Sequence, residues 1–371
     1  MNVSKLVIVV AFFCLLSSQL LSQDNDRKIT FPDLDEYKTL KCDFHIHSIF
    51  SDGLVWPTIR VEEAVKDGLD AISLTEHIEY QPWAADMRHP DRNRSYHLAQ
   101  KAAKPHDLIV IHGTEITREM PPGHANALFV TDVNSLIVQD SIEAYRLARQ
   151  QGAFIFWNHP NWVSQNDSGI PVLSDLHKQL IAEDLLHGIE VVNDVTYSEE
   201  ALKIALENDL SVIGTSDIHG LVDWQFRLDK GGHRPINLVF AEERSEESIK
   251  EALFAGRCIA WFENILTGRK EWVEALINKS LVFRRIGMLG PSSILEVEIT
   301  NVSDAPFLLE NLSEYDFYNH SDLIEVPPHS EVVIRILSEK IPESTANISF
   351  KILNAQVGYK ENAILSYQFQ K

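Results

Sequence analysis

Short apolar segments and amphipathic segments alternate along the first 265 residues of the chain. The apolar segments recur about every 25–35 residues, and apolar residues at helical spacing fill the intervals, as in 61–68, 142–151 and 198–208. Short apolar runs separated by helical patterns are typical of βα units and of a largely parallel sheet. The pattern therefore predicts an α/β fold for this part of the chain.

Nine short segments qualify as predicted strands, and six of them end in, or closely precede, His, Asp or Glu. Strand interiors generally avoid such residues. In a closed βα barrel the carboxyl ends of the strands meet on one face, where active sites lie. We therefore expect these polar side chains to converge at one rim. The nine segments are 42–47, 71–75, 108–111, 125–130, 154–157, 189–192, 211–214, 236–240 and 258–262.

The pattern changes at about residue 280. Segments 294–300 and 331–336 alternate apolar and polar residues with a period of two, and turn-forming clusters at 301–306 and 327–329 separate them. No helical pattern competes with this alternation. Residues 280–371 are therefore predicted to form a small all-β sandwich.

The first 22 residues have the pattern of a secretory signal peptide. Lys5 precedes an eleven-residue apolar run at 6–16, and small and polar residues follow as far as Ser22. A membrane-spanning helix needs about 20 apolar residues, so an uncleaved anchor is the weaker alternative. We expect cleavage near Ser22, a short linker at 23–39, and a periplasmic or extracellular protein without a membrane span.

Charge and cysteine content narrow the function classes further. The formal net charge is -21, which disfavours partners held by phosphate-backbone neutralisation, such as duplex nucleic acid. Three cysteines are too few for a disulfide framework, and signal cleavage would remove Cys14. A bridge between Cys42 and Cys258 is an open alternative, although two separate core thiols are favoured.

Histidine and carboxylate residues stand two apart on predicted strands. Successive strand residues point to opposite faces, so Asp43, His45 and His47 share one face. Asp217 and His219 repeat this arrangement at a later strand end. Neutral imidazole and carboxylate are ligands for divalent ions such as zinc, manganese and iron. The spacing therefore predicts a metal centre.

These motifs, in order, resemble those of the PHP (polymerase and histidinol phosphatase) superfamily. The resemblance covers about residues 40–265 and implies that residues 40–275 form a distorted seven-stranded βα (TIM-like) barrel. It further implies three metal ions that hydrolyse phosphate esters. The organisation of the whole chain is also similar to exported phosphodiesterases of the Sb-PDE type. The motifs are His45-x-His47, Ser51-Asp52-Gly53, Thr75-Glu76-His77, Gly113-x-Glu115, Gly123-His124, Asn158-His159-Pro160 and Ser216-Asp217-x-His219.

The resemblance also implies which residues hold which ion. One ion would take His45, His47, Glu115 and Asp217; a second would share Glu115 with His124 and His159; a third would take Asp52, His77 and His219. Glu76 and Asn158 depart from the Asp and Ala that are more usual at their motif positions, but neither change removes a ligand. For Asp52, an ordinary Ser-Asp-Gly turn is the alternative.

Metal chemistry accounts for the reaction without a side-chain nucleophile. Three divalent ions bring +6 against the -3 of Asp52, Glu115 and Asp217, so the site would attract a phosphate. A metal-bridging hydroxide is expected to attack phosphorus in line. The cofactors are thus two to three divalent transition ions (Mn, Zn or Fe), and the chain has no nucleophile elbow or P-loop pattern.

Substrate contacts are harder to place from the sequence. Arg118 and Asn126 follow predicted ligands closely, and Arg88 lies in an insertion at 80–96 that also supplies Trp83, Met87 and Tyr96. Asp43 either orients a ligand histidine or simply holds the strand, and Glu190 and Asn193 could support the site.

We expect an exported phosphoesterase for a small-molecule ester, with a phosphodiester favoured because apolar walls suit two organic arms. A phosphomonoesterase of the same fold and a noncatalytic, metal-stabilised binding module are the alternatives. A homodimer is compatible with the sequence.

Overall fold

The computed structural model describes residues 28–87, 90–337 and 346–369. The predicted signal peptide at 1–22, the first part of the linker and Arg88 lie outside the described residues. Within the described ranges, no helix combines the length and the apolar character that crossing a membrane requires.

The first part of the chain alternates strands and helices, and every one of the nine predicted segments coincides with or overlaps a strand. The strands are β1 (Lys38–Ile46), β2 (Ala71–Leu74), β3 (Ile109–Ile116), β4 (Ala125–Leu128), β5 (Phe154–Trp157), β6 (Gly188–Asn193), β7 (Thr196–Tyr197), β8 (Ser211–Thr215), β9 (Ile236–Ala241), β10 (Cys258–Phe262) and β11 (Ile265–Gly268).

Helices follow most of these strands, and side-chain caps define several of their starts. Asp140, Ser198 and Ser245 each accept a hydrogen bond from a backbone N–H in the first turn of the helix that follows. The helices are α1 (Pro57–Asp67), α2 (Arg94–Ala103), α3 (Ser141–Gln150), α4 (Asp175–Ala182), α5 (Glu199–Glu207), α6 (Val222–Gln225), α7 (Glu246–Phe254) and α8 (Lys270–Ser280).

The strands curve into a distorted barrel. Strands β1, β2 and β3 pair in parallel, as do β5, β6 and β8. The distortion lies between these groups: β4 is antiparallel to both β3 and β5, and β9 is antiparallel to both β1 and β10. The predicted α/β class with a distorted barrel is therefore confirmed.

A buried side chain joins the two ends of the barrel sheet. On the β9 strand, Asn237 Nδ2 donates to the carbonyls of Val212 (3.1 Å) and Ile259 (3.2 Å), and its Oδ1 accepts from the Gly214 N–H (2.9 Å). A Cβ at Gly214 would lie 2.4 Å from the Ala260 Cβ. Because Gly214 has no side chain, β8 can approach β10 closely. The Asn237 amide supplies the hydrogen-bond partners of the backbone groups at this contact.

The C-terminal part is all-β, as predicted. One sheet contains β12, β13 and β16, and the burial of β13 alternates residue by residue. In the other sheet β15, β14, β17 and β18 adjoin one another, and β17 pairs in parallel with β11 of the barrel at Leu266↔Ala355. The strands are β12 (Leu281–Met288), β13 (Ile294–Asn301), β14 (Phe307–Asn311), β15 (Leu323–Val326), β16 (Glu331–Leu337), β17 (Ala346–Gly358) and β18 (Glu361–Phe369).

The two cysteines in the described part of the chain are free thiols. Cys42 and Cys258 are both fully buried, on β1 and β10 respectively. Burial raises the pKa of each thiol, so both stay protonated at neutral pH. The favoured reading of two separate core thiols is confirmed.

The closure of the barrel by Asn237 can be tested directly. Asn237→Leu leaves one buried N–H and two buried carbonyls without their partner, so we expect the free energy of unfolding to fall by about 3 kcal/mol. Urea denaturation measures the change. The exposed strand residue Asn347 supplies the control, since Asn347→Leu should change stability by less than about 0.5 kcal/mol. Equal stability of the two variants would contradict this role for Asn237.

Candidate metal centre

All nine predicted ligands lie at one rim of the barrel. His45 is on β1, Glu115 is on β3, and the others follow or precede strand ends. His124 directly precedes β4, and because β4 is antiparallel to β3, its amino end reaches the same rim as the carboxyl ends of the other strands. The structure thus brings together residues separated by up to about 170 positions in sequence.

Four side-chain atoms form the first group. His45 Nε2, His47 Nε2 and Asp217 Oδ1 are separated by 3.0, 3.2 and 3.1 Å. Glu115 Oε2 lies 3.5 and 3.4 Å from the two imidazole nitrogens. Four ligands at about 2.0–2.1 Å from a tetrahedral ion lie about 3.3–3.4 Å apart. The observed separations therefore fit a metal ion at the centre of this group.

The other carboxylate oxygen of Glu115 faces a second group. His124 Nδ1 lies 2.8 Å and His159 Nε2 lies 3.5 Å from Glu115 Oε1. Glu115 therefore joins two groups, one through each oxygen. This is the arrangement that the family resemblance implies.

Asp52 is at the centre of the third group. His77 Nε2 lies 3.4 Å from its Oδ2, and His219 Nε2 lies 3.2 Å from its Oδ1. His47 Nδ1 is also 3.6 Å from Asp52, but it is 3.2 Å from the Ser51 hydroxyl, which can accept its proton. His47 is thereby oriented toward the first group through its other nitrogen.

The donor set fits divalent ions. Asp52 Oδ1, Glu115 Oε2 and Asp217 Oδ1 are buried, and none has a hydrogen-bond partner among the described residues. A buried anionic oxygen without a partner is strongly destabilising unless a cation neutralises it. These three oxygens each face imidazole nitrogens, which is the ligand combination that zinc, manganese and iron accept.

Neighbouring groups orient the ligand histidines. His45 Nδ1 donates to Glu190 Oε1 (2.8 Å), which directs Nε2 into the first group. His77 Nδ1 lies 2.7 Å from the Thr117 hydroxyl, and His219 Nδ1 donates to the backbone carbonyl of Asp217 (2.8 Å). Such contacts on the second nitrogen fix the tautomer and the ring orientation of a metal ligand.

The two departures from the family pattern have structural roles. Glu76 accepts hydrogen bonds from the Ser48 N–H (3.1 Å) and the Ser51 hydroxyl (2.6 Å), so it holds the loop that carries Asp52. Asn158 Nδ2 donates to Glu115 Oε1 at 2.9 Å. Glu76 thus positions a loop, and Asn158 positions the Glu115 carboxylate that two ligand groups share.

Asp43 holds β1 to a neighbouring turn and is not bonded to a ligand histidine. Its carboxylate accepts from the Ser216 N–H (3.2 Å) and hydroxyl (2.6 Å), and Arg234 Nη1 lies 3.2 Å away. Arg234 is itself buried and pairs with Asp67 at 2.8 Å. This buried pairing fixes the residue that precedes Asp217.

At Glu115 and His47 burial and charge favour the form that binds metal, whereas at His45, His77 and His219 burial lowers the pKa but neighbouring carboxylates outweigh it and raise the pKa. Burial alone would raise the pKa of Glu115, but His77 and His45 hold it well below its usual range. Burial, followed by the nearby His219 and His77, lowers the pKa of His47 to about 3. An ionised carboxylate and a neutral imidazole are the forms that bind metal.

A cleft of about 450 Å³ opens beside these groups. Trp162 and Val163, in the loop after β5, form its apolar part, and both side chains are largely exposed. The Trp162 ring centroid lies 5.1 Å from that of His159. Trp162 and the other non-ligand lining residues carry no motif, and their only sequence signal is their position shortly after predicted strands. Besides the ligands, the lining comprises Asn161, Trp162, Val163, Asn193, Asp194, Thr196 and Gln225.

Two of the three predicted substrate contacts, Arg118 and Asn126, have partners away from the cleft. The Arg118 guanidinium is engaged by Glu79 (2.8 Å) and the Val138 carbonyl (2.6 Å), so it braces the rim. Asn126 is fully buried, and its amide donates to the Phe44 carbonyl at 3.3 Å and accepts from Asn158 at 3.0 Å. Neither residue is among those that line the cleft.

The apolar wall of the cleft is also not formed by the residues predicted for it in the insertion at 80–96. Among the described residues, neither Trp83 nor Met87 lines the cleft, and Tyr96 stacks on His112 with ring centroids 4.0 Å apart. Tyr96 belongs to α2, whose packing against β3 turns it away from the rim. The loop after β5 provides the wall instead.

Comparison with known proteins finds matches to both parts of the chain. A family model described as DUF5001, an Ig-like domain, matches residues 286–368. No curated protein matches the chain. A crystal structure from Bifidobacterium adolescentis ATCC 15703 is described as that of a putative metal-dependent phosphoesterase. It is 19% identical, and the alignment covers 50% of this chain and 90% of that one. Its TM-score of 0.39 is too low to carry an argument.

A crystal structure from Bacteroides vulgatus ATCC 8482 is much more similar. It is described as a two-domain protein containing a predicted PHP-like metal-dependent phosphoesterase. The identity is 40%, the alignment covers 92% of this chain and 98% of that one, and the TM-score is 0.87. With clusters of His, Asp and Glu side chains at the barrel rim that could hold metal ions, this chain belongs to the PHP-like metal-dependent phosphoesterases.

Proposed function

We propose that this phosphoesterase hydrolyses phosphodiesters in preference to phosphomonoesters. The observation that carries the proposal is the charge of the cleft: among the described residues, its lining contains no Lys or Arg. A monoester carries a charge near -2 and calls for cationic side chains in addition to metal ions. A diester carries -1 and needs space for a second organic group, which a cleft of about 450 Å³ provides.

The side chains of the rim would hold two to three divalent ions, of Mn, Zn or Fe. When bound, such ions lower the pKa of water and neutralise charge on the phosphoryl oxygens. Glu115 keeps the first two ligand groups together, and Asn158 holds Glu115 in place. Glu190 directs His45, and the Trp162 wall shields one side of the reacting phosphate from water.

The protein is further proposed to act outside the cytoplasm on a small-molecule ester. The support for export is the signal-like sequence of residues 1–22. The net charge of -21 supports a small ester over duplex nucleic acid as the substrate.

The role of Glu115 is tested by Glu115→Gln. A neutral amide offers one weak oxygen where the carboxylate offers two charged ones, so turnover should fall below a tenth of the wild-type rate, with fewer ions per chain in elemental analysis. The exposed neighbour Glu119 provides the control, because Glu119→Gln should retain both activity and metal. Wild-type turnover by metal-free protein would contradict the proposed role of metal ions.

The diester preference is tested with bis(4-nitrophenyl) phosphate and 4-nitrophenyl phosphate. We expect a higher kcat/KM for the diester, and Trp162→Ala should lower the diester value about tenfold through lost aromatic packing. The monoester value should change less. Trp83→Ala is the matched control, since Trp83 is a partly exposed indole outside the cleft lining. A faster monoester would reassign the enzyme as a phosphatase.

Export is tested by expressing the full chain in a Gram-negative host. We expect periplasmic or secreted protein whose amino terminus, read by mass spectrometry, lies near Gln23. A chain lacking residues 1–22 serves as the control and should remain cytoplasmic. An intact Met1 on exported protein would contradict cleavage, and cytoplasmic full-length chain would contradict export.

A further inference from the structure

We infer that the cleft beside the metal centre binds an uncharged, hydroxyl-bearing arm of the ester, of the polyol or sugar class. This inference rests on the proposed diesterase function, because a diester places a second organic arm next to the reacting phosphate. Two features of the cleft carry it: a fixed carboxylate–amide pair and an exposed indole, with no Lys or Arg in the described lining.

The carboxylate–amide pair consists of Asp194 and Gln225. Gln225 Nε2 donates to Asp194 Oδ1 at 2.5 Å, and the Asp194 N–H donates to the Thr215 carbonyl at 3.2 Å. Asp194 follows β6 and Gln225 ends α6, so the pair joins two separate segments of the rim. Both side chains line the cleft.

The pair adjoins the metal ligands. Asn193, the residue before Asp194, donates from Nδ2 to Glu190 Oε2 (2.9 Å) and to Asp217 Oδ2 (3.3 Å). Glu190 in turn orients His45. A group bound by Asp194 and Gln225 would therefore be next to a phosphate held at the first ligand group.

Asp194 combines a left-handed backbone conformation with a half-buried carboxylate. Its backbone has a φ of +50°, which a residue with a side chain adopts at a cost. The carboxyl group is half-buried, and it has no Lys or Arg partner within the described part of the chain. Burial raises its pKa, although Gln225 opposes the shift. Strained, half-buried carboxylates of this kind are typical of binding and catalytic sites.

The indole supplies the complementary surface. Trp162 is 45% exposed, and its ring is held in edge contact with His159 and His124, with centroids 5.1 and 5.8 Å away. An aromatic ring packs well against the C–H face of a polyol or sugar ring. Asp194 can accept hydrogen bonds from hydroxyl groups at the edge of such a ligand, and Gln225 can accept or donate.

Other substrate arms fit less well. An anionic arm would meet the Asp194 carboxylate, and the described lining holds no Lys or Arg to pair with the arm. A cationic arm would meet the positive charge of a metal-loaded centre, and a purely apolar arm would remove water from Asp194 without replacing its hydrogen bonds. A hydroxylated arm satisfies both the carboxylate and the indole.

The test compares 4-nitrophenyl diesters whose second arm is glyceryl, propyl, carboxymethyl or 2-(trimethylammonio)ethyl. We expect kcat/KM for the glyceryl diester to exceed that for the propyl diester at least tenfold, with the carboxymethyl diester slowest. Asp194→Gly removes the carboxylate, and glycine adopts a φ of +50° without strain. The glyceryl-to-propyl ratio should then fall to within about twofold of unity, and Gln225→Ala should lower it in the same direction.

Trp224→Ala is the control, because this indole is 77% exposed, precedes Gln225 and does not line the cleft. It should leave the ratio unchanged. Equal rates for glyceryl and propyl diesters, or a fastest trimethylammonioethyl diester, would overturn the inference while leaving the diesterase intact. Turnover of 4-nitrophenyl phosphate alone would overturn the diesterase and the inference together.

Discussion

The candidate metal centre depends on one buried carboxylate. Glu115 has no exposed surface, yet five imidazole nitrogens lie within 3.5 Å of its two oxygens, and Asn158 donates to it as well. A buried carboxylate is strongly unfavourable unless opposite charge and hydrogen bonds surround it. The strand ends that carry these imidazoles must therefore converge on β3, and this requirement ties the barrel geometry to the chemistry of the rim.

A second layer of buried polar contacts maintains that convergence. Glu190 bonds His45, the His159 N–H and the Thr215 hydroxyl, so it connects four segments of the rim. Asp43 and Arg234 form a buried pair that fixes the turn before Asp217. Removing one partner of such a network leaves the other buried without compensation, which explains why the metal site and the barrel should lose stability together.

Metal binding and substrate selection involve different parts of the rim. Apart from Asp52, which a loop carries, the candidate ligands are on strands or within a few residues of them, where backbone pairing fixes their positions. The rest of the cleft lining comes from the segments after β5, β6 and β8, which contribute Trp162, Asp194 and Gln225. Loops can change without disturbing the sheet, so specificity can vary on a constant metal centre.

The sequence by itself determined nine of the eleven strands β1–β11 and the positions of the candidate ligands, because both follow from local rules. Alternation on β1 places His45 and His47 on one face, and each predicted strand is long enough to be recognised by its own residues. The orientation of the loops was decided only by tertiary packing. Arg118, Asn126 and Tyr96 looked accessible in sequence but are engaged by Glu79, Phe44 and His112. Asp194 and Gln225 are 31 residues apart and belong to no motif, so only the folded barrel brings them together.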